Sequence, residues 1–407
     1  MKRKASTQSI AVPSLWNVVA YFLRLGATGF GGPVALANYM REDLVERDGW
    51  FTEEEYERGL AVATACPGPL AYQLGVYCGY VKHGVIGGIA VGIAFALAPF
   101  AIVVTAAVIY VHFANATWIR SLFYGVGPVV VALILKACWN LGKKTLKREV
   151  PAWIVAGVAL LATIIFQREL TVLFVAAGLL GVVLFAPRKS SDSASSAQAD
   201  VKPTTLKVRS VTIPVMLAAA LPVVAPAIAW RLFAFFFKTG LLVFGSGLVV
   251  VSFIKAYVVD QYHWLGNRAF LDAVAIGMVS PGPVVITATF VGYLVGGFVG
   301  ALAATIGIFL PSILLTLVGT PLLIRYGKNP RIAGFVRGVT VAVVGVLAGT
   351  TYLVGKPVIG DWITMLIAVA VLIAPRIKKG IPDQLFVAAG ALVGLLAYPL
   401  LHPTWMP

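Results

Sequence analysis

FLRLGATGFGGP at 22–33 and FFKTGLLVFGSG at 236–247 are two versions of one phrase, and CPGPLAYQLG at 66–75 returns as SPGPVVITAT at 280–289. Residues 22–70 align without a gap onto 236–284. Phe22, Gly26, Phe30, Gly31, Trp50, Pro67, Gly68 and Pro69 recur at one constant offset as Phe236, Gly240, Phe244, Gly245, Trp264, Pro281, Gly282 and Pro283. Helix breakers at matching places in two apolar halves mark a solute site built from interrupted helices near mid-membrane.

The composition sets the solvent. Of 407 residues, 59% are hydrophobic and 12% charged, where a soluble domain carries about 25% charged residues. Runs apolar enough to span a bilayer, which takes roughly 20 residues, fall near 85–111, 119–141, 151–167, 171–186, 212–230, 297–324, 332–354, 361–374 and 384–401. The expected fold is an all-α polytopic membrane protein. No cleavable signal peptide is expected, because residues 1–13 lack an apolar core. The net charge of +16 is scattered through short loops between apolar runs, which suits a membrane protein and not nucleic-acid binding. Cys66, Cys78 and Cys138 show no metal-ligand spacing and read as small packing residues, so neither metal nor cofactor is expected.

The chain divides into a tail (1–13), a first repeat (14–186), a linker (187–211), a second repeat with an extra leading apolar segment (212–401) and a tail (402–407). Five serines between Ser190 and Ser196, with Pro187 and the basic residues Arg188, Lys189, Lys202, Lys207 and Arg209, make the linker flexible and basic. Excess positive charge places it in the cytoplasm, together with Lys2, Arg3 and Lys4 at the N-terminus.

Loop charges predict that the second half is inverted relative to the first. The loop at 112–118 carries only a histidine, whereas its counterpart has Arg325, Lys328 and Arg331. Lys143, Lys144, Lys147 and Arg148 against Glu149 correspond to Lys356 against Asp361. Arg168 with Glu169 corresponds to Arg376, Lys378 and Lys379 against Asp383. Such alternation fits an inverted-topology repeat, with parallel duplication as the alternative. Segments 14–48 and 53–82 are each interrupted, and each is either one broken spanning helix or a re-entrant hairpin.

Pro-Gly-Pro ends one half-helix and begins another, and the new N-terminus presents unpaired N–H groups to an anion. Pro67, Gly68 and Pro69, with Ser280, Pro281, Gly282 and Pro283, therefore form the expected anion cup; the alternative is a pair of kinks that only shape packing. Arg24 and Lys238 occupy matching positions in apolar sequence and either neutralise an anion or snorkel to the interface. Hydroxyl and amide groups near the breaks, such as Thr28, Gln73, Ser246 and Thr287, either donate to an oxyanion or bond to helix carbonyls. Half of the acids, eight from Glu42 to Glu57, crowd one connection, as a solvated surface or as a proton-coupling vestibule.

The duplicated halves, Phe30-Gly31-Gly32-Pro33 with its degenerate copy Phe244-Gly245-Ser246-Gly247, and Pro-Gly-Pro in both, resemble the chromate ion transporter family of bacterial inner-membrane proteins. The resemblance spans nearly the whole chain. It implies gradient-driven export of chromate, conferring chromate resistance, with the halves in opposite orientation. The motif residues it carries over are Phe30, Gly31, Gly32, Pro33, Pro67, Gly68, Pro69, Gly245, Pro281, Gly282 and Pro283. Expected partners are chromate or a related oxyanion, the lipid bilayer and a second copy of the chain in a homodimer.

No GxxxxGK[ST] loop is present, which argues against a built-in ATP motor. A sulfate transporter and a passive oxyanion channel stand as alternatives, since sulfate and chromate are both tetrahedral dianions. A lipid-pyrophosphate phosphatase is remote: its Ser/Arg/His constellation would have to follow Pro-Gly, where Pro69-Leu70-Ala71 and Pro283-Val284-Val285 stand.

Overall fold

The computed structural model describes residues 13–30, 32–113, 116–147, 149–166, 170–185, 226–243, 247, 249–326, 329–377 and 381–401. The linker, both tails apart from Pro13, and most of the leading apolar segment lie outside the described residues. So do several loop charges used above, including Arg148, Arg168, Lys328, Lys378 and Lys379.

Regular structure among the described residues is helical, in the same order twice. The first half runs α1 (Leu15–Thr28), α2 (Gly32–Arg41) with a π-helical turn Glu42–Arg47, α3 (Glu53–Ala65), α4 (Leu70–Phe113), α5 (Thr117–Thr145), α6 (Val150–Phe166) and α7 (Leu170–Leu184). The second runs α8 (Pro226–Gly240), α9 (Val249–Phe253) with a π-helical turn Ile254–Val259, α10 (Asn267–Val279), α11 (Thr287–Tyr326), α12 (Pro330–Val358), α13 (Trp362–Ile377) and α14 (Asp383–Leu401). Trp50 N–H donates to the Leu44 carbonyl and Trp264 N–H to that of Val258, so the matching tryptophans close matching turns.

In the first half, hydrogen bonds define three antiparallel pairings of consecutive segments. Tyr21 donates to Asp43 at 3.0 Å, which sets α2 antiparallel to α1. Tyr77 donates to the Glu55 carbonyl at 3.1 Å and Lys82 pairs with the Glu55 carboxylate at 3.1 Å, which sets the start of α4 antiparallel to α3. α4 itself folds at His83–Gly84 into arms 70–82 and 85–113, with Tyr72 donating to the Gly92 carbonyl at 3.0 Å. α11 folds in the same manner at Gly296–Gly297, with Thr289 and Thr305 hydroxyls 2.7 Å apart. Gly84 and Gly297 sit at φ of 64° and 60°, a conformation that a side chain disfavours. α1 and α3, with 14 and 13 residues, reach only about 20 Å at 1.5 Å per residue.

Four stretches are long and apolar enough to cross a membrane by length and composition: Leu70–Phe113 (through its second arm), Trp118–Thr145, Val284–Leu322 and Ala333–Val358. The runs expected near 151–167, 171–186, 361–374 and 384–401 are also helical, as α6, α7, α13 and α14. Their outer faces expose large apolar side chains such as Ile165, Val183 and Leu396, the pattern of a surface solvated by lipid.

Corresponding helices of the two halves meet antiparallel. Gly92 packs on Ile313 and Gly88 on Leu317, between the long arms of α4 and α11; Gly127 packs on Val358 and Gly355 on Val131, between α5 and α12. The last helices are exchanged. α7 lays Ala177 and Gly181 against Gly334 and Gly338 of α12, and α14 lays Gly390 and Gly394 against Ser121 and Gly125 of α5. Small residues four apart allow these backbones to touch, the close packing that associates helices in lipid. Tyr124–Asp361 (2.7 Å) and Arg337–Glu149 (2.6 Å) bridge the halves at matching positions.

Candidate substrate site

Each interrupted segment ends in a tip, and the tips of one half engage those of the other. Gly68 N–H donates to the Val243 carbonyl at 2.5 Å, and Gly282 N–H to the Gly29 carbonyl at 2.9 Å. Gly68 and Val243 correspond to Gly282 and Gly29, so this is one contact made twice. Both glycines have positive φ, 141° and 87°, and a Cβ on Gly282 would come 2.6 Å from the Pro99 ring.

The reciprocal bonds revise the expectation of open donors at both glycines. A buried N–H away from water must find a partner, and the other half supplies its carbonyl. Helix geometry leaves the first-turn amides of Leu70, Ala71 and Tyr72 without intrahelical acceptors, which makes them the donors still facing the break. In the second half the chain enters α11 through a 3₁₀ turn at Val284–Ile286, with Ile286 N–H bonded to Pro283.

Pro33, Leu36, Pro69, Ala71, Gly282, Pro283 and Val284 enclose a cavity of only about 10 Å³ where the tips converge. That holds about one water. The structure thus brings Pro33, Gly68, Pro69, Gly282 and Pro283 together. Gly32 begins α2, and Phe30, two residues before it, is exposed. Ser280 turns away, its hydroxyl donating to the Gly277 carbonyl at 3.1 Å. Gly31, Gly245 and Ser246 lie outside the described residues.

Arg24 and Lys238 do not meet there. Arg24 lines a cavity with Tyr39, Glu42, Asp43 and Arg47, whereas Lys238 lines another with Arg231, Tyr257 and Trp264. The acidic connection is largely committed to structure. Arg41 forks onto Glu53 and also binds Glu46, Arg47 holds Asp43 and Asp48, Arg58 pairs with Glu54, and Thr52 with Glu55 forms a capping box at α3. The hydrogen bond from Arg41 holds the Glu53 carboxyl below its ordinary range.

Gln73, one of the expected amide groups, is joined behind the first tip by two hydroxyls outside the expected set, Ser312 and Thr316. Gln73, Ser312 and Thr316 are fully buried, and Gln73 Oε1, Ser312 Oγ and Thr316 Oγ1 have no hydrogen-bond partner. Gln73 Nε2 donates to the Pro67 carbonyl, and a Cβ on Gly68 would lie 2.7 Å from Ser312 Oγ. Unpaired buried polar atoms are uncommon and mark a place for a ligand or water. Behind the second tip, Pro99 and Val103 of α4 hold the positions that Ser312 and Thr316 of α11 hold behind the first, so this lining is one-sided. Asp272 of α10 is a second unexpected feature: it is 2% exposed, and its carboxylate accepts from Tyr110 at 2.6 Å.

Comparison with known proteins fits this duplicated architecture. The chromate transporter family pattern matches residues 16–182 and again 230–395. The chain is 42% identical to a chromate transport protein of Cupriavidus metallidurans, over 96% of this chain and 94% of that protein. It is 39% identical to a probable chromate transport protein of Synechococcus elongatus, over 94% and 95%. A chromate transport protein of Pseudomonas aeruginosa is 31% identical, over 85% and 83%. No solved structure matches. With the family pattern present in each half and relatives aligned over nearly the whole chain, the chain belongs to the chromate transporter family, whose members are multi-pass membrane transporters and not enzymes.

Proposed function

We propose that this protein is a secondary transporter that exports chromate across the bacterial inner membrane, and that its oxyanion site forms where the two Pro-Gly-Pro tips meet. The observation that carries the reading is the reciprocal pair of bonds, Gly68 to Val243 and Gly282 to Gly29. The antiparallel meeting of corresponding helices supports an inverted repeat with its two-fold axis in the membrane plane. Arms of about 20 Å that reverse at each tip are too short to cross ~30 Å of hydrocarbon, which supports re-entrant hairpins over broken spanning helices.

The first tip offers an oxyanion the amides of residues 70–72 at a helix N-terminus, together with the Ser312 and Thr316 hydroxyls. A cavity of about 10 Å³ cannot admit a five-atom anion, so passage requires the tips to part. A closed centre favours a carrier over an open pore. Export needs no coupling ion in principle: moving a dianion out of a negative interior gains about 4.6 kcal/mol per 100 mV, equivalent to roughly three decades of concentration. Sulfate has the same charge and shape and is the second anion expected to enter. The reading places the N-terminus and linker in the cytoplasm and includes a homodimer; a single-copy mass in nanodiscs would remove the dimer.

The deciding experiment is flux of labelled chromate, sulfate and molybdate in proteoliposomes under imposed pH and potential gradients. Saturable chromate flux with counterflow is expected. Linear flux without counterflow would assign a channel, and sulfate flux without chromate flux would reassign the substrate.

A further inference from the structure

Two cavities occupy equivalent places beside the first hairpin of each half, and they differ in charge. In the first half, a cavity of about 290 Å³ is lined by Arg24 and Arg47 together with Glu42 and Asp43, and Arg47 pairs with Asp43 at 2.6 Å. In the second half, a cavity of about 300 Å³ is lined by Tyr257 at the position of Asp43, and Ala256, at the position of Glu42, is not part of its lining. Its charged lining is Arg231 and Lys238, both on α8. Either cavity is far larger than the ~10–15 Å³ that one water requires.

The two cations are held by rings. The Arg231 guanidinium stands 5.7 Å from the centre of Trp264, which stacks on Tyr262, and the Lys238 ammonium stands 5.9 Å from the centre of Tyr257. A ring face orients a cation without cancelling its charge. Among the described residues neither cation makes an ion pair, so the positive field of the cavity is unspent. Arg231 corresponds to Asn17, and the outer cation therefore exists in one half only. It precedes Lys238 by two helical turns, about 10 Å along α8. The helix then leads to Val243, whose carbonyl accepts from Gly68 at the convergence of the tips.

We propose that this cavity is a capture station for a tetrahedral oxyanion, with Arg231 as the outer contact and Lys238 as the inner one, on the path to the tips. The proposal rests on the transport reading for its purpose, although not for its chemistry. A free oxyanion and the phosphate of a lipid headgroup present the same chemistry, so the test separates them.

The full chain in nanodiscs of neutral lipid would be titrated with chromate, whose near-ultraviolet absorption quenches tryptophan emission. Trp264→Phe keeps a ring under Arg231 and isolates the local signal. Arg231→Gln should raise the half-quenching concentration of the Trp264-dependent part about ten-fold. Arg231→Lys should restore most of the binding, and added salt should weaken it. In discs containing anionic lipid, a station that takes headgroups would show an Arg231-dependent loss of chromate quenching by competition, whereas one that takes only free anions would quench as before. Quenching that ignores Arg231→Gln in both lipids overturns the station. Normal chromate flux alongside that result would leave the transport reading standing, and Arg231-dependent quenching without any flux would remove the transport reading and keep the station.

Discussion

The hydroxyl of Ser312 stands 2.7 Å from the point where a Cβ on Gly68 would lie, so the first tip and the long arm of α11 touch with no room for a methyl group. Gly68→Ala should therefore lower both thermal stability in detergent and chromate flux. Ser312→Ala removes an unpaired buried hydroxyl and should leave stability unchanged or slightly raised while reducing flux. Gln73 also crowds Gly68, so the double variant should recover only part of the stability lost in Gly68→Ala. Equal flux in Ser312→Ala and wild type would move the site away from this face.

Asp361 does two things at once. Its carboxylate accepts from Tyr124 at 2.7 Å across the halves and from Thr364 N–H at 2.9 Å at the start of α13. Glu149, at the matching position, has only Arg337 across the halves, and that pair is partly exposed. Asp361→Ala should cost about 1–2 kcal/mol, the sum of a cap and a side-chain bond. Glu149→Ala should cost about 0.5–1 kcal/mol, as partly solvated ion pairs do. Chemical denaturation of the two variants side by side checks the order.

The Arg41–Glu53 fork sets an acid limit on the connection between the hairpins. Because Arg41 lowers the Glu53 carboxyl relative to its unfolded value, the fork's contribution is complete above the ordinary carboxylate range and is lost as pH falls through the lowered value. Hydrogen exchange at residues 47–55 should be faster in Glu53→Gln than in wild type at neutral pH. The two should converge in strong acid; a difference that persists there would assign the protection to something other than this carboxylate.

The buried Asp272 and the half-buried Tyr110 link α10 to the end of α4. Asp272→Asn retains an acceptor for the Tyr110 hydroxyl and should preserve the fold, whereas Asp272→Leu strands that hydroxyl and should cost about 1–3 kcal/mol. Comparing melting of the two variants separates the hydrogen bond from the charge.

Inversion of the halves makes a prediction about sidedness. Single cysteines replacing Lys144 and Lys356 should label from opposite faces of intact cells or vesicles, with Lys144 and Lys328 on the cytoplasmic face. Labelling of both Lys144 and Lys356 variants from the same face would refute the inverted arrangement.

The duplication and its breaks were readable because proline and glycine act locally: Pro67-Gly68-Pro69 and its copy stop a helix whatever surrounds them. The long apolar runs were readable for a similar reason, since length and hydrophobicity alone make α5 or α12 a membrane helix. What could not be read is the path of the chain between breaks. A broken helix and a hairpin have the same local sequence, and only contacts such as Tyr21 with Asp43 or Glu55 with Tyr77 distinguish them. The polar lining was hidden for another reason. Ser312 and Thr316 lie one turn apart in α11, an i, i+4 pair that any membrane helix tolerates, and nothing near them in sequence indicates that this face meets Gly68. Arg24 and Lys238 match as a repeat pair in sequence, but the match gave no sign that they open onto different cavities.

Each half of this protein lends the other a carbonyl at the break it cannot satisfy alone, and each docks its final helix on its sibling's bundle. The single chain is therefore a tethered heterodimer in the sense of assembly: residues 14–186 and 212–401, produced as separate polypeptides in one membrane, should find each other and restore the closed tips, whereas either alone would be left with an orphaned glycine amide and an uncovered glycine seam.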